Sequence, residues 1–135
     1  DVIVGFPEET EEEFKETLLF IKELSISYLH VFSYSERENT EAIHFGGVVS
    51  KQKRAERSKR LRILSDKLQR KFYQSYLGTE QTALFEKENR DGFLYGFTDN
   101  YIRVKIPFYE EFLQQKLKIK LLSFDKNTNI LSKVI

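Results

Sequence analysis

One stretch limits the fold more than any other: Gly92 to Ile106, reading GFLYGFTDNYIRVKI. Aromatic and β-branched residues fill both arms, which favours strands. Asp99 and Asn100 lie between the arms, and both residue types tolerate the positive φ of a two-residue primed turn. The stretch therefore predicts a β-hairpin. With Asp99 and Asn100 as the whole loop, Phe97 faces Ile102, Tyr95 faces Val104 and Phe93 faces Ile106, because side chains alternate with period two. That face is wholly apolar or aromatic and suits a core. The opposite face pairs Thr98 with Tyr101, Gly96 with Arg103 and Leu94 with Lys105, which puts hydroxyls and positive charge outside.

Period two extends to both sides of the hairpin. Gln81 to Lys87 reads as a strand, and Arg90-Asp91-Gly92 as a turn. Pro107 to Gln114 is a connection with room for one helical turn. Lys116 to Leu121 alternates strictly, with Lys116, Lys118 and Lys120 on one side and Leu117, Ile119 and Leu121 on the other. Asp125 to Asn129 is a turn and Ile130 to Ile135 a last strand. Five short antiparallel strands in this span predict a small, OB-like β-barrel.

The first half follows another rule. Val2 to Phe6 is a short buried-type strand. Thr10 with Glu13 forms a capping box, so a helix starts at Glu11, with Phe14, Leu18, Ile21 and Leu24 as its apolar stripe. Ile26 to Tyr34 is the next strand. Strand, helix and strand at this spacing make a βαβ unit of a parallel sheet, which two strands alone cannot shield. The missing strands are expected from another part of a longer chain or from a second molecule. The chain opens inside the apolar run Val2-Ile3-Val4, as expected of a piece of something longer. Ser35 to Gly47 reads as loop. A helix from Lys51 to Leu77 follows, with Gly78 as its stop and Leu61, Leu64, Leu68 and Phe72 on one face. Three segments result: 1–47, a linking helix over 48–78, and a barrel over 79–135. The fold class is α+β.

The net charge of +1 hides a segregation. Residues 1–50 hold three Lys and Arg against eleven Asp and Glu, whereas residues 51–71 hold ten against two. Such blocks imply separate jobs or separate neighbours. The basic helix could steer an anionic polymer, lie on a membrane surface, or pack its Leu stripe and leave its charges solvated. No apolar run reaches the roughly 20 residues of a membrane span, and no secretory signal is visible. The chain has no cysteine, hence no disulfide framework, thiolate metal site or thiol nucleophile, which fits a reducing cytoplasm.

Chemistry concentrates on the predicted outer face of the barrel. Arg103, Lys105, Lys116, Lys118 and Lys120 would point outward, with Thr98, Asn100 and Tyr101 at the hairpin tip. Lys and Arg neutralise phosphates and an exposed Tyr stacks on a base. Alternating Lys on a strand serves equally well for solubility and edge protection. His30 and His44 lack a partner pattern for metal or nucleophile work. Ser33 and Ser35 lack the context of a hydrolase nucleophile. Gly5, Gly46 and Gly47 make no phosphate-binding fingerprint. The acidic run Glu8 to Glu13 is accounted for by helix capping. No catalytic residue is assigned.

At these residues the chain resembles the C-terminal part of a radical-SAM tRNA methylthiotransferase. DVIVGFPEETEEEF resembles the family's late barrel strand, its Gly-Phe-Pro-Gly-Glu-Thr loop and the following helix. YLHVFSYSERENT resembles the next barrel strand and its Tyr-Ser-x-Arg-Pro-Gly-Thr loop. Arg57 to Gly78 is similar to the connecting helix, and GFTDNYIRV to the core of the tRNA-binding TRAM barrel. The wording is most similar to the branch acting on threonylcarbamoyladenosine at tRNA position 37. Glu8 stands where the family has Gly, Ser33 where Pro is frequent, and Glu38-Asn39 where it has Pro-Gly, so the two loops are expected to sit differently.

The resemblance implies a parent enzyme that uses S-adenosylmethionine and iron–sulfur clusters to insert a methylthio group into an adenosine. Gly5, Phe6, Pro7, Val31 and Phe32 would then line the SAM-binding end of a partial barrel. The cluster cysteines are not among these residues, so the fragment is expected to be inactive and to hold no cofactor itself. Its implied partners are the anticodon stem-loop of tRNA and the remainder of the radical-SAM barrel, with no membrane, and its exposed βαβ piece could self-associate. A protein-interaction module with a small β-barrel is the alternative from another functional class.

Overall fold

The computed structural model describes residues 1–135, which pack as two compact units, Asp1–Lys71 and Phe72–Ile135. The boundary falls inside the second helix.

In the first unit, β1 (Val2–Val4) and β2 (Val31–Ser33) pair in parallel, Val2 with Val31, Ile3 with Phe32 and Val4 with Ser33. Strand β2 is shorter than its apolar run because Leu29 turns its N–H to the Ser65 hydroxyl (2.9 Å) rather than to a strand. His30 precedes β2 and is exposed, 3.0 Å from an Asp1 carboxylate oxygen. Helix α1 (Glu11–Glu23) begins at the capping box: Thr10 Oγ1 accepts from Glu13 N–H, and the Glu13 carboxylate from Thr10 N–H. Thr10 thereby holds the Glu13 carboxyl below its ordinary pKa.

One face of the small sheet is covered. Val4, Phe14, Ile21, Leu29, Leu61 and Leu64 form a buried cluster, with Val2, Leu18, Val31 and Leu68 against it. On the other face Ile3 and Phe32 lie side by side, each more than half exposed. Leu24 ends α1 as an exposed cap rather than a stripe residue.

Helix α2 (Lys51–Ser75) packs its Leu stripe and leaves most of its charges solvated, but two of its arginines are buried with the stripe. Arg54 and Arg57 are 5% and 3% exposed and share a stripe with Leu61 and Leu64. Arg54 grips Glu36 through two hydrogen bonds of 2.5 and 3.1 Å. That grip draws the Glu36 carboxyl down to a pKa of about 2 and raises that of Arg54. Arg57 binds Glu9 at 2.6 Å and Arg60 binds Glu11 at 2.8 Å, and the Arg60 bond lowers the Glu11 pKa. The acidic and basic blocks are each other's neighbours. A buried guanidinium needs a fixed partner, and these carboxylates supply it.

In the second unit, β3 (Glu80–Arg90), β4 (Phe93–Thr98), β5 (Arg103–Pro107), β6 (Lys116–Phe124) and β7 (Ile130–Val134) close a barrel in the order β3-β4-β5-β7-β6. The barrel is not wholly antiparallel: β5 and β7 run parallel, Val104 beside Ile130 and Lys105 beside Leu131. Those two strands are joined through β6, and that longer path permits a parallel pair. Ala83, Phe85, Leu94, Ile102, Val104, Ile106, Ile119, Leu121 and Ile130 fill the interior, closed by Tyr73 from the last turn of α2.

Candidate nucleic-acid interface

The hairpin pairs one residue away from the expected register. Leu94 faces Ile106, Gly96 faces Val104, and Tyr95 and Phe97 face Lys105 and Arg103. The loop has three residues, not two. Thr98 N–H donates to the Ile102 carbonyl (3.1 Å), Tyr101 N–H to the Thr98 carbonyl (3.0 Å), and Tyr101 takes a left-handed φ of 62°. This is the turn-plus-bulge form of a three-residue hairpin. Tyr73 fixes it from below: its hydroxyl accepts from Arg103 N–H (3.0 Å) and donates to the Tyr101 carbonyl (3.2 Å).

A slip of one residue turns a strand over. Leu94, Gly96 and Thr98 therefore face inward, and Phe93, Tyr95 and Phe97 outward, the reverse of the expectation for β4. Gly96 is inside because nothing larger fits. A Cβ there would come within 2.4 Å of the Leu84 carbonyl oxygen. Thr98, expected on the binding face, is 4% exposed, and its hydroxyl is spent on Ile102 N–H (2.9 Å) and Asn100 Oδ1 (2.6 Å). It is a turn residue, and Asn100 is drawn to it, half-buried.

The outer face of β4 and β5 thus alternates rings with cations. The Arg103 guanidinium lies 4.8 Å from the Phe97 ring centre and 5.3 Å from that of Tyr95. Lys105 Nζ lies 4.5 Å from the Phe93 ring centre and 5.9 Å from that of Tyr95, and Arg90 reaches Tyr95 at 6.0 Å. Such contacts hold rings and cations in fixed order. Leu84, paired with Phe97, adds exposed apolar surface from β3. Tyr101 at the tip is 80% exposed.

These cations are not free. Lys105 is bound to Asp125 at 2.7 Å, with side chains 13% and 9% exposed. Burial alone would raise the Asp125 pKa, but Lys105, Asn129 and the Asn127 and Asn129 N–H groups overcome this and hold it at about 2. Arg103 meets Glu86 at 3.3 Å, and Arg90 meets Glu86 and Glu88 at 3.4 and 3.0 Å. Lys116, Lys118 and Lys120 do point outward as expected, and none forms an ion pair. They stand on β6, however, which β3 separates from β4 and β7 separates from β5. The structure does not gather the five expected cations on one face. The ring row of β4 was missed, because its visibility depends on the loop length.

The residues expected to face SAM are dispersed. Gly5 N–H is held by a Glu9 carboxylate oxygen (2.8 Å), and a Cβ on Gly5 would lie 2.4 Å from Arg54 Cγ. Pro7 is buried, and Val31 packs into the helix-covered core. Phe6 stacks edge-on against Tyr34 and Phe45, and Phe32 is on the open face. Glu8 and Asn39 keep left-handed backbones, with φ of 71° and 64°. Those positions adopt the backbone that glycine favours even without glycine.

Residues 74–128 match the model of the TRAM domain. The chain is 40% identical over 126 residues to a threonylcarbamoyladenosine tRNA methylthiotransferase of Bacillus subtilis, covering 90% of this chain and 28% of that protein. It is 41% identical over 111 residues to the protein of the same name from Aquifex aeolicus, covering 82% of this chain and 26% of that protein. It is 42% identical over 89 residues to a tRNA-2-methylthio-N(6)-dimethylallyladenosine synthase of Protochlamydia amoebophila, covering 66% of this chain and 20% of that protein. The chain spans between a fifth and little more than a quarter of the length of these curated relatives. It is a TRAM-bearing relative of the tRNA methylthiotransferases.

Proposed function

We propose that these residues supply tRNA binding to a radical-SAM methylthiotransferase, with the anticodon stem-loop as ligand and a modified adenosine at position 37 as the parent's target. The observation that carries this reading is the ordered outer face of the TRAM barrel, Phe93, Tyr95 and Phe97 interleaved with Arg103 and Lys105. The unpaired lysines of β6 add a second, purely electrostatic contribution to phosphate binding. Tyr101 at the tip and Asn100 beside it complete the contact set. The names of the relatives support the substrate class.

The parent would cleave S-adenosylmethionine with the help of iron–sulfur clusters, in the cytoplasm. The residues present do not build a site for either group. Arg54 and Glu9 occupy the space and the N–H at Gly5, Val31 points into the core, and the chain has no cysteine. No step of the reaction is assigned to them. Ile3 and Phe32 offer the open sheet face to the remainder of the barrel, or to a second copy in its place.

Titration of the 135-residue chain with an anticodon stem-loop at low salt tests the reading. Binding should weaken as salt rises, and Lys116→Glu together with Lys118→Glu, two exposed lysines without an ion pair, should remove most of it. No binding at low salt would sink the proposal. Lys105→Glu is a poor probe, because it would set two carboxylates at hydrogen-bond distance from each other.

A further inference from the structure

We propose that the β4–β5 face, given the RNA-binding reading above, takes unpaired bases on its rings and leaves duplex phosphates to other parts of the barrel. Three cations stand on or beside this face, Arg90, Arg103 and Lys105, and three carboxylates already hold them, Glu86, Glu88 and Asp125. The face is therefore formally neutral. A phosphate arriving at Lys105 would have to displace Asp125. That carboxylate is fixed by Asn127 N–H at 2.7 Å, Asn129 N–H at 2.9 Å and the Asn129 side-chain amide at 3.0 Å. It is a rigid competitor with almost no access to water.

The rings are capped by cations and not by a fixed anion: Arg103 lies over Phe97 and Tyr95, and Lys105 over Phe93. Phe97 and Tyr95 project outward, Leu84 extends the apolar surface, and Tyr101 stands clear of the hairpin tip. Arg103 lies over two of the rings with its charge offset by Glu86, so its planar guanidinium is itself a stacking surface. Stacking requires bases that are not paired in a helix, and a ring neutralises no phosphate, so it adds nothing to the salt slope that counterion release sets. The exposed, unpaired lysines lie on β6, across an intervening strand. Charge and stacking are thus divided between different strands.

The experiment compares an unpaired oligoadenylate with a blunt RNA duplex of equal length, titrated into the 135-residue chain and its Tyr95→Ala and Phe97→Ala variants. Melting curves confirm that each variant folds. The single strand should bind more tightly than the duplex, and each ring removal should weaken single-strand binding by about tenfold while leaving its salt slope unchanged. Equal or tighter duplex binding, or ring variants that bind like the parent chain, would overturn the proposal while leaving RNA binding intact. Failure to bind either RNA would overturn the RNA-binding reading, and this inference with it.

Discussion

Gly96 shows how a single backbone position sets the barrel's face. The strand beside it approaches so closely that Gly96→Ala would drive a methyl group into the Leu84 carbonyl and the Phe85 ring. Overpacking of this kind costs about 1–3 kcal/mol, and urea unfolding of Gly96→Ala should show it. Asp125 sets a pH limit. Its folded pKa is about 2 against an ordinary 3.8, and Glu36 is likewise held at about 2 against 4.5. Both carboxyls take up protons more readily when unfolded. The stability they contribute is full above about pH 4.5 and is lost as pH falls toward 2. Melting temperature should drop across that window, and Asp125→Asn should flatten part of the drop at the expense of stability at neutral pH. A melting temperature independent of pH between 5 and 2.5 would contradict both assignments.

At the scale of elements, local signals were legible and loop length was not. The capping box at Thr10 and Glu13 placed the start of α1, because every atom that decides it lies within four residues. The hairpin could not be settled in that way. Its register depends on Tyr101 adopting a left-handed backbone that Asn or Gly would adopt more easily. A hydroxyl from Tyr73, almost thirty residues away, holds it there. Tyr73→Phe should therefore cost about 1–2 kcal/mol through two unmet backbone groups and should broaden the Tyr101 and Arg103 amide resonances first. The same limit explains α2. Its leucine stripe was readable by period, but Arg54 and Arg57 belong to that stripe because acids distant in sequence fold against them. Arg57→Ala leaves Glu9 half-buried and unpaired, and a loss of about 3 kcal/mol is expected in thermal unfolding of the first unit.

For the molecule as a whole, the order of elements and the five-stranded barrel followed from a switch of period near Gly78. The distribution of charge did not. Expecting aromatic rings inside and cations outside leads to a phosphate-binding face. The observed register puts rings and cations together outside and has carboxylates neutralise the cations. The family relationship and the physical reading meet at RNA, but for a different reason from the one suggested by lysine alternation. The open face of β1 and β2 belongs to a separate question, answered by sedimentation: Ile3→Lys with Phe32→Lys should reduce any self-association of the chain without altering RNA affinity.

The most direct measurement is the affinity of the intact chain for an anticodon stem-loop as salt is raised, repeated with Tyr95→Ala. RNA binding through a ring-bearing face predicts measurable affinity at low salt, and a loss of about tenfold on removing the ring. An affinity that does not respond to that substitution, or that is absent at low salt, would contradict it.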